Sequence, residues 1–117
     1  FLPHNYPEQC VAYTGTHDND TVRGWNESAP DHEADFARRY LGVSGEDIAW
    51  DMIRAVWHSK AVWALAPLQD FLSLYSDARM NYPGRMEGNW TWRVREDQIT
   101  RDLTDRINNL NVVTGRN

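Results

Sequence analysis

Val11-Ala12-Tyr13-Thr14-Gly15-Thr16-His17-Asp18-Asn19-Asp20 is the stretch on which the reading of this chain turns. The β-formers Val11, Tyr13 and Thr14 predict a short extended run. Four positions, His17 to Asp20, then hold an imidazole, two carboxylates and an amide. A hydrophobic core has no use for that density of polar groups. A strand running into an acidic loop is where α/β enzymes keep their chemistry, because the loops at strand C-terminal ends carry function. The same residues also suit a solvated turn rich in Asp and Asn.

Outward from that stretch, composition narrows the classes. The 117 residues fit one modest domain or a piece of a larger one, and 41% are hydrophobic, enough for a packed core. A net charge of −5 without any basic run argues against nucleic acid or an anionic membrane as partner. Cys10 is the single cysteine, which excludes an internal disulfide and a cysteine metal cluster and points to a reducing, cytoplasmic setting. No signal peptide and no membrane-spanning apolar run is present. Phe1-Leu2-Pro3 carries no initiator Met and reads as the middle of a longer protein.

The chain in order alternates strand and helix signals. Residues 1–9 read as an irregular entering loop, and 11–14 as a buried strand of a parallel sheet. Thr21 to Ser28 predicts a short helical turn. Ser28-Ala29-Pro30-Asp31 has the form of a capped helix start, with the helix passing Phe36, Ala37 and Tyr40 and stopping at Gly42. Ser44-Gly45-Glu46-Asp47 repeats the capping pattern, and Ile48, Met52, Ile53, Val56 and Trp57 recur at helical spacing. Ala61 to Ala66 is a continuous apolar run closed by Pro67 and reads as a second buried strand. Leu68 to Leu74 suggests another helical turn, Tyr82-Pro83-Gly84 a turn, and Gly88 to Trp92 an extended segment. Ile99, Leu103, Ile107 and Leu110 define a final amphipathic helix capped by Thr100. Two strands separated by helices imply a βαβ unit with parallel pairing. No linker divides the chain, so residues 1–117 read as a single unit. Trp50, Trp57 and Trp63 read as core, and Trp90 and Trp92 as packing residues.

Several motif readings fail on the residues. A calcium loop opening at Asp18 would need glycine where Arg23 stands and glutamate where Ala29 stands. His4, His32 and His58 show no ligand spacing with His17, so no metal is expected. There is no phosphate-binding glycine loop and no nucleophile elbow. What remains is a carboxylate beside an imidazole at a strand end. Such a pair can stabilise a developing positive charge and hold sugar hydroxyls, which glycosyl transfer requires.

Tyr13-Thr14-Gly15-Thr16-His17-Asp18-Asn19-Asp20-Thr21 resembles the last catalytic motif of the 4-alpha-glucanotransferases (amylomaltases), a branch of the α-amylase clan. Further blocks extend the resemblance in the family's order: Leu2-Pro3-His4-Asn5-Tyr6, Pro67-Leu68-Gln69-Asp70, Ser76-Asp77-Ala78-Arg79-Met80-Asn81 and Gly88-Asn89-Trp90-Thr91-Trp92-Arg93. The resemblance implies an α/β fold, the C-terminal portion of a (β/α)8 TIM barrel contributing strands seven and eight with their helices, helix-rich as an isolated fragment. It implies transfer of α-1,4-glucan segments between maltooligosaccharides by a retaining double displacement, without a cofactor. Asp18 would be the carboxylate that stabilises the transition state. His17 would bind hydroxyls of the same sugar, with His4, Asn5 and Asn81 lining the substrate cleft. The family's nucleophile and acid/base motifs do not occur in this sequence. Asp20, Asp70 and Asp77 do not occupy their motif positions, so the chain alone is expected to be inactive. A rival reading is a non-catalytic glucan-binding or interaction module. Two strands cannot close a barrel, so the fragment is expected to self-associate or to repack its helices.

Overall fold

The computed structural model describes residues 2–117; Phe1 lies outside them. The acidic loop leaves a strand, β1 (Val11–Tyr13), that pairs in parallel with β2 (Trp63–Leu65), with Val11 opposite Trp63 and Tyr13 opposite Leu65. Three helices cross between them: α1 (Val22–Ser28), α2 (Asp31–Leu41) and α3 (Ile48–His58). A short α4 (Leu68–Phe71) and a long α5 (Arg101–Val113) follow β2. Single 3-10 turns occupy Pro3–Asn5, Ser76–Ala78 and Glu96–Gln98. The architecture is α/β and helix-rich, with a two-stranded parallel sheet and no barrel among the described residues.

α3 is the buried spine, as its apolar periodicity predicts. Trp50, Ile53, Val56 and Trp57 pack with Ala12, Ala61 and Leu110, so this one helix touches both the sheet and α5. Each fully buried side chain of this size contributes about 2–3 kcal/mol. Both buried indoles also find acceptors: Trp50 Nε1 donates to Phe71 O at 3.0 Å and Trp57 Nε1 to Asn111 Oδ1 at 2.8 Å. Arg116 then ties the chain end to the spine. Its guanidinium donates to the carbonyls of Trp57, Ser59 and Ala61, each at 2.9 Å, satisfying groups that the C-terminal end of α3 leaves open.

Helix ends follow the sequence in part. Gly42 ends α2 in the left-handed region (φ 70°), and Thr100 caps α5 by accepting from Leu103 N. Thr21 caps α1 through Gly24 N. The two other expected caps are absent. Ser28 Oγ turns back to donate to Gly24 O at 3.0 Å, closing α1 rather than opening α2. At α3 the N-cap is Asp47, whose carboxylate accepts from Arg106 at 2.7 Å instead of from its own helix. The 88–92 segment is not extended throughout: Gly88 and Trp90 both have positive φ.

The strands sit where the apolar runs predict but are not buried. Only Ala12 is enclosed; Val11, Tyr13 and Leu65 are exposed, and Trp63, expected in the core, is 65% exposed. A two-stranded sheet covered by α3 on one face leaves its other face and both edges open. Continuous apolar strands of this kind belong to sheets covered on both sides. We propose that the 117-residue chain on its own covers this face by self-association. Light scattering is expected to give a mass above that of a monomer. A monodisperse monomer that binds no apolar dye would contradict this.

Candidate functional site

Parallel pairing places the loops that follow β1 and β2 at the same edge of the sheet, and the candidate site forms where they meet. Thr14 continues the pairing, its N–H donating to Leu65 O at 3.2 Å. The loop then closes on itself. Asn19 Oδ1 accepts from Thr16 N at 2.8 Å and from Thr16 Oγ1 at 3.1 Å, and Asn19 N donates to Thr16 O at 3.2 Å, closing a turn that leaves His17 and Asp18 at the tip. Asp20 anchors the far end, with Oδ1 accepting from Thr21 N and Oδ2 from Ser76 Oγ, both at 2.8 Å. A Cβ at position 24 would lie 2.2 Å from Ser76 Oγ and 2.5 Å from Asp20 Oδ1, so this anchor requires Gly24.

Asp70 is the hub beneath the loop. It is 2% exposed, yet both of its oxygens are satisfied, Oδ2 by Thr14 Oγ1 at 2.7 Å and Oδ1 by Val22 N at 2.9 Å. One carboxylate from the segment after β2 therefore holds the end of β1 and the start of α1. Burial raises the pKa of Asp70. The two hydrogen bonds oppose that rise, and the nearby Asp20 charge adds to it.

At the tip, groups from the two loops converge on Asp18. Asn81 Nδ2 donates to Asp18 Oδ1 at 2.7 Å, and His17 Nε2 lies 3.3 Å from the same oxygen. Asn81 N donates to His17 O at 3.1 Å. Arg79 directs its guanidinium to main chain, Nη2 donating to Asp18 O at 2.6 Å and Nε to Asn81 O at 2.9 Å, and stacks on the Tyr82 ring at 4.5 Å. One carboxylate oxygen of Asp18 is thus fixed, while the side chain remains about half exposed. This geometry suits a carboxylate that meets a ligand with its second oxygen. A cleft of about 500 Å³ adjoins the pair, lined by His17, Asp20, Asp70, Arg79 and Trp90 among others.

A larger cleft, about 710 Å³, lies between the Pro3–Asn5 turn, α2 and α3 and is walled mainly by apolar side chains such as Tyr6, Phe36 and Met52. Its charged lining residues, Glu33 and Arg39, come from α2 alone, whereas the smaller cleft draws polar groups from both strand-end loops and is the better candidate. Among the described residues no three His, Cys, Asp or Glu side chains converge in metal-ligand geometry.

A family model described as 4-alpha-glucanotransferase matches residues 1–100. The chain belongs to this family. It is 44% identical over 118 residues to the 4-alpha-glucanotransferase of Clostridium butyricum, an alignment spanning 99% of this chain and 24% of the relative. The Thermus thermophilus 4-alpha-glucanotransferase is likewise 44% identical, over 124 residues covering 99% of this chain and 25% of its own length. Among solved structures, the amylomaltase from Streptococcus agalactiae in complex with acarbose is similar in fold, with a TM-score of 0.92 at 31% identity over 97% of this chain and 23% of that one. The chain of this 4-alpha-glucanotransferase family member spans about a quarter of the length of the curated relatives it matches.

Of the residues singled out from the sequence, the structure brings His17, Asp18 and Asn81 together. Of the singled-out residues His17 alone is among the side chains lining the cleft, Asp18 and Asn81 stand beside His17, and His4 and Asn5 stand apart on the Pro3–Asn5 turn. The His4 ring is engaged by Tyr40 of α2, Nδ1 lying 2.7 Å from its hydroxyl with the rings stacked. Two contributors escape the sequence reading. Asp70 and Thr14 find each other across 56 positions, and only the fold reveals the pair. Trp90, read as a packing residue, is 53% exposed and sets its ring 5.0 Å from that of His17.

The hub yields a pH-dependent expectation. With its folded pKa raised, Asp70 holds its proton more tightly in the folded chain than in the unfolded one. Its contribution to stability is therefore greatest below its ordinary pKa and falls as pH rises through the raised value. Asp70→Asn does not titrate, so the parent should lose stability relative to this variant across that window in denaturant unfolding at several pH values. Asp70→Ala strands Val22 N–H and the Thr14 hydroxyl and should cost about 3 kcal/mol below that window and less above it. Equal stability of the parent and Asp70→Ala would show that Asp70 is not the hub.

Proposed function

We propose that this chain is part of a cytoplasmic 4-alpha-glucanotransferase that transfers α-1,4-glucan segments between maltooligosaccharides by a retaining double displacement. In this reading β1 and β2 are strands seven and eight of a (β/α)8 barrel, whose active site lies at the C-terminal strand ends. The observation that carries the reading is the Asp18 carboxylate, anchored through one oxygen by Asn81 and half exposed at the end of β1. The fold's similarity to an amylomaltase solved in complex with acarbose supports an oligosaccharide ligand.

The chemistry follows from charge and position. An oxocarbenium-like transition state develops positive charge at the sugar, and a fixed carboxylate nearby stabilises it without having to reorganise. Asn81 fixes Asp18 by donating a hydrogen bond, which leaves the carboxylate negative. Arg79 fixes the loops through carbonyls, so its cation does not form an ion pair with Asp18. His17, 3.3 Å from Asp18, is placed to bind hydroxyls of the same sugar. The nucleophilic aspartate and the acid/base glutamate belong to barrel strands outside this sequence.

Asp18→Asn tests the charge directly, because asparagine keeps an oxygen for Asn81 to donate to and loses only the negative charge. In the intact enzyme, disproportionation of maltooligosaccharides should fall on the order of a hundredfold or more. Near-normal turnover would overturn the assignment.

A further inference from the structure

Trp90 is held over the cleft in a way that packing alone does not explain. It is one of two non-glycine residues among those described with positive φ (60°), a backbone state that is a genuine outlier for a bulky side chain. Such strain persists only where surrounding bonds over-determine it, and it clusters at ligand clamps. The bonds are present. Trp90 N donates to Met80 O at 2.7 Å, and Asn89 Oδ1 accepts from Tyr82 N at 2.8 Å while its Nδ2 donates to Arg85 O at 3.0 Å. The 80–90 segment is closed at its base by these contacts, and Trp90 emerges from the closure.

The direction it takes is informative. The ring stands 5.0 Å from that of His17, tilted by 40°, yet the residue remains 53% exposed along the cleft shared with His17, Arg79 and Met80. An apolar ring beside hydroxyl-binding polar groups matches the two-sided chemistry of a pyranose, whose C–H face is apolar and whose rim is polar. The net charge of −5 argues against nucleic-acid bases as the stacking partner.

We infer that Trp90 is a stacking platform for a glucosyl ring of the bound α-glucan, next to the sugar engaged by His17 and Asp18. The inference rests on the proposed glucan-handling function and adds a binding residue to it. The positive φ is the cost of presenting the indole, and the Asn89 and Met80 bonds hold it there.

The test is equilibrium binding of maltotetraose to the intact enzyme by calorimetry, alongside steady-state kinetics, for Trp90→Ala, Trp90→Phe and Asp18→Asn. Trp90→Ala should bind about tenfold more weakly, equivalent to about 1.4 kcal/mol, and raise KM in proportion with little change in kcat. Trp90→Phe should recover most of the affinity, which a purely conformational role would not restore. Unchanged maltotetraose affinity in Trp90→Ala, with an unfolding midpoint like the parent's, would overturn the platform. So would a fall in kcat without a change in binding, which would assign Trp90 to orienting His17. Asp18→Asn separates the two readings: retained turnover there, with weakened binding in Trp90→Ala, would sink the catalytic assignment and leave the platform standing.

Discussion

The structure depends on the parallel pairing of β1 with β2. Antiparallel strands would send the following loops to opposite ends of the sheet. Parallel strands send both to one edge, at the cost of a long crossover that here takes three helices. Val11 opposite Trp63 and Tyr13 opposite Leu65 set the register, and Thr14 N–H extends it by one more bond to Leu65 O. From that point the geometry is constrained. Thr14 is brought to Asp70, Asp20 to Ser76, and Asp18 to Asn81, each across more than 50 positions of chain. A shift of one residue would turn the Thr14 hydroxyl away from Asp70 and take its acceptor away.

The polar groups at this edge divide their labour. Asp70 and Asp20 are spent on holding the loop: their oxygens accept from Thr14, Val22, Thr21 and Ser76. Asp18 is the carboxylate left partly uncommitted. Arg79 could have formed a bidentate pair with it, which would have neutralised its charge. The guanidinium is bonded to the Asp18 and Asn81 carbonyls and stacked on Tyr82 instead. The Arg79 guanidinium therefore shapes the loop and leaves the carboxylate unpaired by it.

Legibility in the sequence followed the range of the interactions. Features set by neighbouring residues could be read: the apolar face of α3, the glycine stop at Gly42, the Thr100 cap, and the self-closing turn of Asn19. The strand positions were legible from their apolar runs, but their burial was not, because burial depends on what covers the second face of the sheet. Ser28 and Ser44 looked like caps because hydroxyls before acidic residues usually are; Ser28 instead closes the preceding helix, and Ser44 Oγ accepts from Glu46 N two residues on. At the site, the order of the motif blocks pointed to His17, Asp18 and Asn81 through family likeness. The Asp70 hub and the exposed, strained Trp90 had no local signal, since each is defined by partners far along the chain. His4 shows the reverse: a polar side chain near the motif in sequence is held by Tyr40 in space.

If the two strand-end loops act as one unit through the Asn81–Asp18 hydrogen bond, the two residues must be energetically coupled. A double-mutant cycle in the intact enzyme, measuring kcat/KM for Asp18→Ala, Asn81→Ala and the double variant, tests it most directly. Strong coupling of at least about 1 kcal/mol is expected, with Asn81→Ala costing far less once Asp18 is already gone. Strictly additive losses would contradict it, because they would mean that Asn81 and Asp18 contribute independently.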